Sequence, residues 1–394
     1  MALAVSPLSA AAGGSTGGVA AWGCVSDTNG GQCTIPPAAQ QGVVAIAAGG
    51  VFSLALTQDG RVLEWGVACQ DPVCNTPPAE AESGVVAIAA AVRHSLILRA
   101  DGTIAEWGYV CGDLCPYRLP PDARPAVAIS AGDWHDLLLT RAGRVYAWGC
   151  GPDMGFSYDR GQCSVPAEAE SGVTAIAAGE YHSLALKNGS VLAWGCAPGS
   201  DYGQCTVPPA AKSGVIAIAA GAGQSLALKQ DGSVVAWGCN GFDLGQCTVP
   251  AAATSGVTAI AAGRFHSLAL KQDGSVVAWG CGPRGAYYDG GQCEVSSAGR
   301  SGVIAISGGG YHTLVLKAGD TVPRCNVPQV VGKPLAAAKR AIAAARCRTG
   351  TVRYAYSRTR KKGIVTAQSP RAGRVLAVSS PVGLVVSRGR KHRR

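Results

Sequence analysis

The dipeptide Trp-Gly recurs seven times, at Trp22, Trp65, Trp107, Trp148, Trp194, Trp237 and Trp279, with spacings of 43, 42, 41, 46, 43 and 42 residues. A period near 40 constrains the chain more than composition does, because each repeat can bury its apolar face only against its neighbours. A second signature, an Ile followed by small residues, begins at Ile46, Ile88, Ile129, Ile176, Ile218, Ile260 and Ile306. The repeats open on Trp-Gly and close on the Ile signature. The first unit therefore lacks its front half and the last its back half, and the two halves complete one another if the array forms a ring.

The stretch Ser255–Cys293, SGVTAIAAGRFHSLALKQDGSVVAWGCGPRGAYYDGGQC, stands for the unit. VTAIAAG, HSLALK and VVAWGC read as strands, with the period of two seen at Leu268 and Leu270 or at Val277 and Trp279. Asp273-Gly274, between the second and third runs, is a hairpin signal, since Gly accepts positive φ. A short fourth run, QCTVP at Gln246–Pro250, ends on Pro and reads as an outer edge strand. Four strands per unit, seven times over, predict an all-β, seven-bladed β-propeller closed by N-terminal strands within 18–33. The Ala/Gly-rich first strand belongs innermost, where blades converge and only small side chains fit.

Sixteen cysteines fall in phase with the repeats. Each Trp-Gly is followed by one Cys, with a second shortly downstream, which pairs Cys24–Cys33, Cys69–Cys74, Cys111–Cys115, Cys150–Cys163, Cys196–Cys205, Cys239–Cys247 and Cys281–Cys293. Cys325 and Cys347 make an eighth pair. Each closed loop would stabilise the fold by about 2–3 kcal/mol. Zinc is the rival reading, but each loop offers two thiols and no His. Paired cysteines place the protein in an oxidising compartment, secreted or at the cell envelope. The opening MALAVSPLSAAAGG has small residues before Gly13 like a cleavage site, without a charged start or full apolar core. Residues 1–17 are therefore a leader or a disordered N-terminus, and no run of about 18 or more strongly apolar residues follows.

The formal net charge of +10 conceals two parts: residues 1–317 sum to −7 and residues 318–394 to +17. Opposite charges imply two domains with different partners. Past Val322 the pattern changes. VPQVVGKPLAAAKRAIAAARC has helical spacing, with Pro334 placed for a first helical turn. The runs TVRYAYS, GIVTAQSP and VGLVVSRG follow, in which Tyr354 and Tyr356 share one strand face and read as packed. The expected organisation is a propeller over 18–317, a linker at 318–323, a small α+β module over 324–388 and a basic tail at 389–394.

The repeat letters IAAG, HSLAL, DG-V-AWG and GQ, in that order over residues 18–317, resemble regulator-of-chromosome-condensation repeats. GQCTVP followed by SGVTAIAAG looks like the secreted bacterial seven-bladed propellers that include a β-lactamase inhibitor protein, although paired cysteines depart from that group. VPQVVGKPLAAAKRAI, QSPRAG and VGLVVSRG, within 322–388, resemble a PASTA domain. That resemblance implies association with peptidoglycan or β-lactam-like wall fragments, or a spacer role.

In a propeller meander the turn between the first and second strands shares a face with the loop after the third. The turns carry Trp134, Tyr181, Phe265 and Tyr311, and the loops carry Phe156, Tyr158, Tyr202, Phe242, Tyr287 and Tyr288. Aromatics on a stapled surface suit protein recognition, and the inhibitor propellers imply the same use; local packing over the blade tops is the other reading. Asp153, Asp159, Arg160, Asp201, Asp243, Arg284 and Asp289 lie in the same loops as a polar rim. The Trp-Gly tryptophans read as inter-blade core. His94, His135, His182, His266 and His312 recur in phase, with Phe52 and Gln224 at the same position, which fits packing rather than a metal ligand or base. Catalytic motifs are absent apart from a Gly-x-Ser-x-Gly at Gly13–Gly17 that no strand precedes. A nucleotide-exchange role does not fit an oxidised compartment. The expectation is a non-enzymatic binding protein with no cofactor or metal, whose propeller face grips a protein partner. Its basic module would associate with peptidoglycan or an anionic wall polymer, with nucleic acid disfavoured and no membrane span. A glycan-binding protein and a β-lactamase inhibitor are the alternatives.

Overall fold

The structure is a computed structural model that describes residues 16–24, 30–67, 77–108, 123, 125–150, 159–197, 199–240, 243–283, 289–319, 325–376 and 380–390. The chain divides into two compact units, Met1–Ala318 and Gly319–Arg394.

Unit one is a propeller-like array of antiparallel sheets. A representative repeat has strands Val257–Ala262, Ser267–Lys271 and Val276–Trp279. Leu268 lies opposite Ala261 on one side and Ala278 on the other. The middle strand is buried on both faces, so it reads as a run of apolar residues. Its two faces serve different neighbours: Ala269 packs with Leu226 and Leu228 of the preceding repeat, while Leu268 and Leu270 pack with Trp22, Ile306 and Val315. Each interface thus sets large residues of one repeat against Ile, Ala and Trp of the next.

The fourth strand expected at Gln246–Pro250 is not formed. A turn leads instead into a 3-10 helix at Ala251–Ala253, with Pro250 in an extended conformation before it. The segment spends its hydrogen bonds elsewhere: the Gln246 carbonyl accepts from the Trp279 indole at 3.0 Å and from the Ser267 hydroxyl at 3.1 Å.

The strand Gly17–Trp22 pairs along its length with Thr313–Ala318, Gly17 opposite Ala318 and Trp22 opposite Thr313. It meets Val43–Ala48 only at Gly17 and Val43. This joins the first and last repeats in one six-stranded sheet.

The Ala/Gly-rich first strands converge on a cavity of about 110 Å³, lined by residues of all seven repeats. That volume holds a few waters. Small residues are required here: a Cβ on Gly263 would overlap the His266 ring and approach the Gly309 carbonyl. Around the cavity, each turn donates a backbone N–H to the next repeat, as in Asp133 to Gly179, Glu180 to Gly221, Arg264 to Gly309 and Gly310 to Gly49, at 2.9–3.3 Å.

Among its described residues unit two has one α-helix, Leu335–Ala344, set off by Pro334 at the residue before it. The helix buries Ala338 and Ile342 against Val382, Leu384 and Val386. Those three lie on Pro381–Ser387, the centre of a three-stranded sheet between Arg348–Ala355, parallel to it, and Val365–Ser369, antiparallel. Tyr354 and Tyr356, expected to pack, are instead 53% and 57% exposed. Tyr354 stands on an edge strand and Tyr356 just past its end, both beyond the point where Val352 reaches the core.

Candidate functional site

The register puts the first turn and the Cys loop of each repeat at one end: Ser267 lies opposite Trp279, so the turn before it and the loop after Gly280 are neighbours. Five disulfides fasten such loops, Cys24–Cys33, Cys150–Cys163, Cys196–Cys205, Cys239–Cys247 and Cys281–Cys293, with Cα atoms 6.0–6.1 Å apart. Cys347 is also disulfide-bonded; the Cys325 side chain lies outside the described residues, as do Cys69–Cys74 and Cys111–Cys115.

A hydrogen-bonded relay underlies four of these five loops. His266 Nε2 meets Thr313 Oγ1 at 3.0 Å, and that hydroxyl donates to the Gln292 carbonyl at 3.1 Å. The hydroxyl has one proton, so Nε2 is the donor. His135–Ser183, His182–Ser225 and His312–Ser53 repeat the pattern. Burial without a charged partner pushes these four histidines down to about 3. The same Gln carbonyls, of residues 32, 162, 204, 246 and 292, take the indole N–H of Trp65, Trp194, Trp237, Trp279 and Trp22. Each Gln side chain folds back to accept a backbone N–H two residues earlier, at 2.5–2.7 Å.

Two repeats depart from this plan. The loops after Trp65 and Trp107 lack Gly-Gln before their second Cys, and the residue before each Trp is Glu instead of Ala. Glu64 Oε2 accepts the Trp107 indole N–H at 2.8 Å, and Glu106 does the same for Trp148. In these two repeats the indole N–H goes to a side-chain carboxyl, where the others use a backbone carbonyl. Burial pushes Glu64 up to about 7; burial, then the charge of Asp136, does so for Glu106. Asp136 stands where other repeats have Ser or Thr, and His94 Nε2 meets it at 2.9 Å. Burial opposes a charged His94, but Asp136 outweighs it and holds the imidazole up to about 9. His94, Glu106 and Asp136 bring ligand atoms within 4.8 Å of one another, a set that could hold a cation. His94 already bonds to Asp136, and Glu106 to Trp148, which accounts for the cluster without one.

Of the ten aromatics assigned to the face, Trp134, Tyr181, Tyr202 and Tyr311 are half-buried on it. Phe265 differs: it is 6% exposed, 5.7 Å from the Tyr311 ring, with the Arg264 guanidinium 5.1 Å above it. It supports the surface from beneath. Phe156, Tyr158, Phe242, Tyr287 and Tyr288 lie outside the described residues, with Asp153 and Arg284. Asp159, Asp201, Asp243 and Asp289 each accept the backbone N–H of the Gly two residues on, at 2.7–2.9 Å, so these acids shape their loops.

Sequence reasoning missed the residue before each turn aromatic. Asp133, Glu180 and Arg264 point to the mouth of the central cavity, where Arg264 bridges Glu180 at 3.2 Å and Asp133 at 3.7 Å. Two acids share one base; burial, then Glu180, pushes Asp133 up to about 7. The signal was available: this turn position is Gly, Val or Ala in the other four repeats and charged only here.

Residues 126–153, 215–244 and 257–286 match the family model described as Regulator of chromosome condensation (RCC1) repeat, and residues 326–388 match that of the PASTA domain. The chain carries RCC1 repeats and a C-terminal PASTA domain. Among solved structures it is similar to Prp20p from Saccharomyces cerevisiae, described with its binding to Gsp1p and histones, at 21% identity over 79% of this chain and 93% of that one, TM-score 0.57. Yeast RCC1 (Prp20) bound to Kap60 matches at 20% over 80% and 91%, TM-score 0.58. Human WBSCR16 matches at 17% over 70% and 86%, TM-score 0.51. These likenesses establish the RCC1-type propeller fold. A comparison with curated proteins finds none that matches.

Proposed function

We propose that this chain is a secreted or envelope-associated, non-enzymatic binding protein whose RCC1 propeller grips a protein partner while its PASTA domain associates with the cell wall. The observation that carries the reading is the asymmetry between the two ends of the repeats. One end holds Trp134, Tyr181 and Tyr311 on turns around the Asp133–Arg264–Glu180 bridge, with Tyr202 on a loop closed by Cys196–Cys205. The other end carries turns such as Gln272-Asp273-Gly274 and Gln230-Asp231-Gly232, with no aromatic. Half-exposed aromatics beside charged groups provide contact area at low ordering cost.

In this reading the propeller is seven-bladed, spans 18–317 and closes on itself. The pairing of Gly17–Trp22 with Thr313–Ala318 supports closure, as does the Gly310 to Gly49 bond. Residues 318–323 serve as linker, 324–388 as the PASTA-like domain and 389–394 as a basic tail. The disulfides favour an oxidising compartment, and no described helix is long and apolar enough to cross a membrane. A cavity lined mostly by Ala, Gly and Ile gives little purchase for catalysis.

The test is a pair of binding measurements. Candidate partners, β-lactamases included because of the GQCTVP–SGVTAIAAG resemblance, are titrated against the whole chain and a Trp134→Ala/Tyr181→Ala variant with an unchanged melting curve. Loss of at least tenfold in affinity supports the face; equal binding by both proteins rejects it.

A further inference from the structure

The PASTA domain holds a feature that the function above does not use. From residue 321 to 394 the chain has no Asp or Glu, and every described Lys and Arg of this stretch is exposed. These cations are not spread evenly. The strand Arg348–Ala355 and its extension carry Arg353 and Arg358. The following loop carries Arg360, Lys361 and Lys362, and the end of Pro381–Ser387 leads to Arg388 and Arg390. The fold brings the three segments together. Arg388 N–H donates to the Ala355 carbonyl at 2.8 Å, Ser357 to Gly389 at 3.0 Å and Gly363 to Ser387 at 2.9 Å. The Ser387 hydroxyl donates to the Arg360 carbonyl at 3.0 Å, and Arg390 Nε to the Arg358 carbonyl at 3.2 Å. Seven cations therefore crowd one end of the sheet with no acid to offset them, which costs stability through self-repulsion. Tyr354 and Tyr356 stand exposed beside them.

We propose that this end of the domain is a binding site for a phosphodiester-linked polyanion of the cell envelope, a proposal that rests on the envelope reading above. Arginine suits it, since the planar guanidinium forks onto phosphate oxygens. The two phenol rings lie against the sugar or polyol units between phosphates, as aromatic platforms do in other polyanion grooves. The site is separate from the propeller face and from recognition of uncharged wall glycan.

The experiment measures affinity of the whole chain for poly(glycerol phosphate) across salt. With seven phosphates engaged, binding is expected to weaken by about 10³-fold between 50 and 200 mM salt. Arg358→Ala/Arg360→Ala should flatten the log–log slope by about 1.4. Tyr354→Ala/Tyr356→Ala should weaken binding by roughly tenfold or more at every salt concentration and leave the slope unchanged. All four positions are exposed, so a melting curve that superimposes on wild type is expected. A slope unchanged by the arginine pair overturns the proposal. So does a single-stranded DNA of equal charge that binds as tightly, which makes nucleic acid the ligand. Wall sacculi stripped of phosphodiester polymer separate the two levels: retention equal to that on intact sacculi leaves wall association standing and removes this site.

Discussion

The interfaces beneath Trp65, Trp194, Trp237, Trp279 and Trp22 and those beneath Trp107 and Trp148 solve one problem with different chemistry. An indole N–H must be satisfied in a buried seam. The first group uses the backbone carbonyl of a Gln held in place by its own side chain, and the second uses the carboxyls of Glu64 and Glu106. A carbonyl does not titrate, whereas a carboxyl does. The two solutions therefore differ most in their response to pH, and the histidines beside them differ in the same way.

Reducing the disulfides is the largest perturbation. Loops closed at separations of 8 to 13 residues each contribute about 2.5–3 kcal/mol in the chain-entropy picture. A loss of several kcal/mol in denaturant unfolding is expected on adding reductant. If stability is unchanged, the Gln hydrogen bonds alone hold the loops. Next in size are Gln246→Ala, which keeps the carbonyl but removes the side chain that takes the Leu244 N–H, and Glu64→Ala, which leaves the Trp107 indole N–H unpaired; each is expected to cost about 1–3 kcal/mol. If Gln246→Ala is silent in denaturant unfolding, the carbonyl keeps its place without the side chain; if Glu64→Ala is silent, the Trp107 indole does not depend on the carboxyl.

The pH tests sharpen the contrast. Four histidines sit near 3 when folded and near 6.5 when unfolded, so the unfolded chain takes up protons first as pH falls. Stability is full above 6.5 and declines as pH falls towards 3. His266→Gln, with the residue that position 224 already carries, should make that decline shallower. His94 has the opposite sign: raised to about 9, it contributes fully below 6.5 and loses its contribution as pH rises through 9. Asp136→Ser should convert it to the acid-labile kind, read as a steeper decline below 6.5. The smallest effect belongs to Glu64→Gln. Glu64 titrates near 7 folded and 4.5 unfolded, so its protonated form favours folding below 4.5 and that gain fades as pH rises through 7. The amide variant should match wild type at pH 4 and be slightly more stable at pH 8.

The repeat period, the three strands and the presence of a PASTA domain were legible because each rests on a local pattern. QCTVP was misread as a strand because its Val and Thr have β character, while its prolines and the duties of the Gln246 carbonyl are visible only with the neighbouring Trp279 and Ser267 in place. Phe265 read as surface because the sequence does not show that Arg264 and Tyr311 cover it. Tyr354 and Tyr356 read as packed because strand parity puts them with Val352, but parity is silent on where a ten-residue helix stops. The Asp133–Arg264–Glu180 bridge joins three repeats and has no local signature.

The pairing of Gly17–Trp22 with Thr313–Ala318 also sets a schedule for synthesis. A ribosome adding about 5–20 residues per second leaves the first strand waiting roughly 15–60 s for its partner. During that interval an apolar strand, and Trp22 with it, is without its native neighbours, while the repeats between can assemble as they emerge. Pairing of the first strand is thereby made a late event in folding, and the yield of folded protein depends on how well that strand is kept from pairing elsewhere.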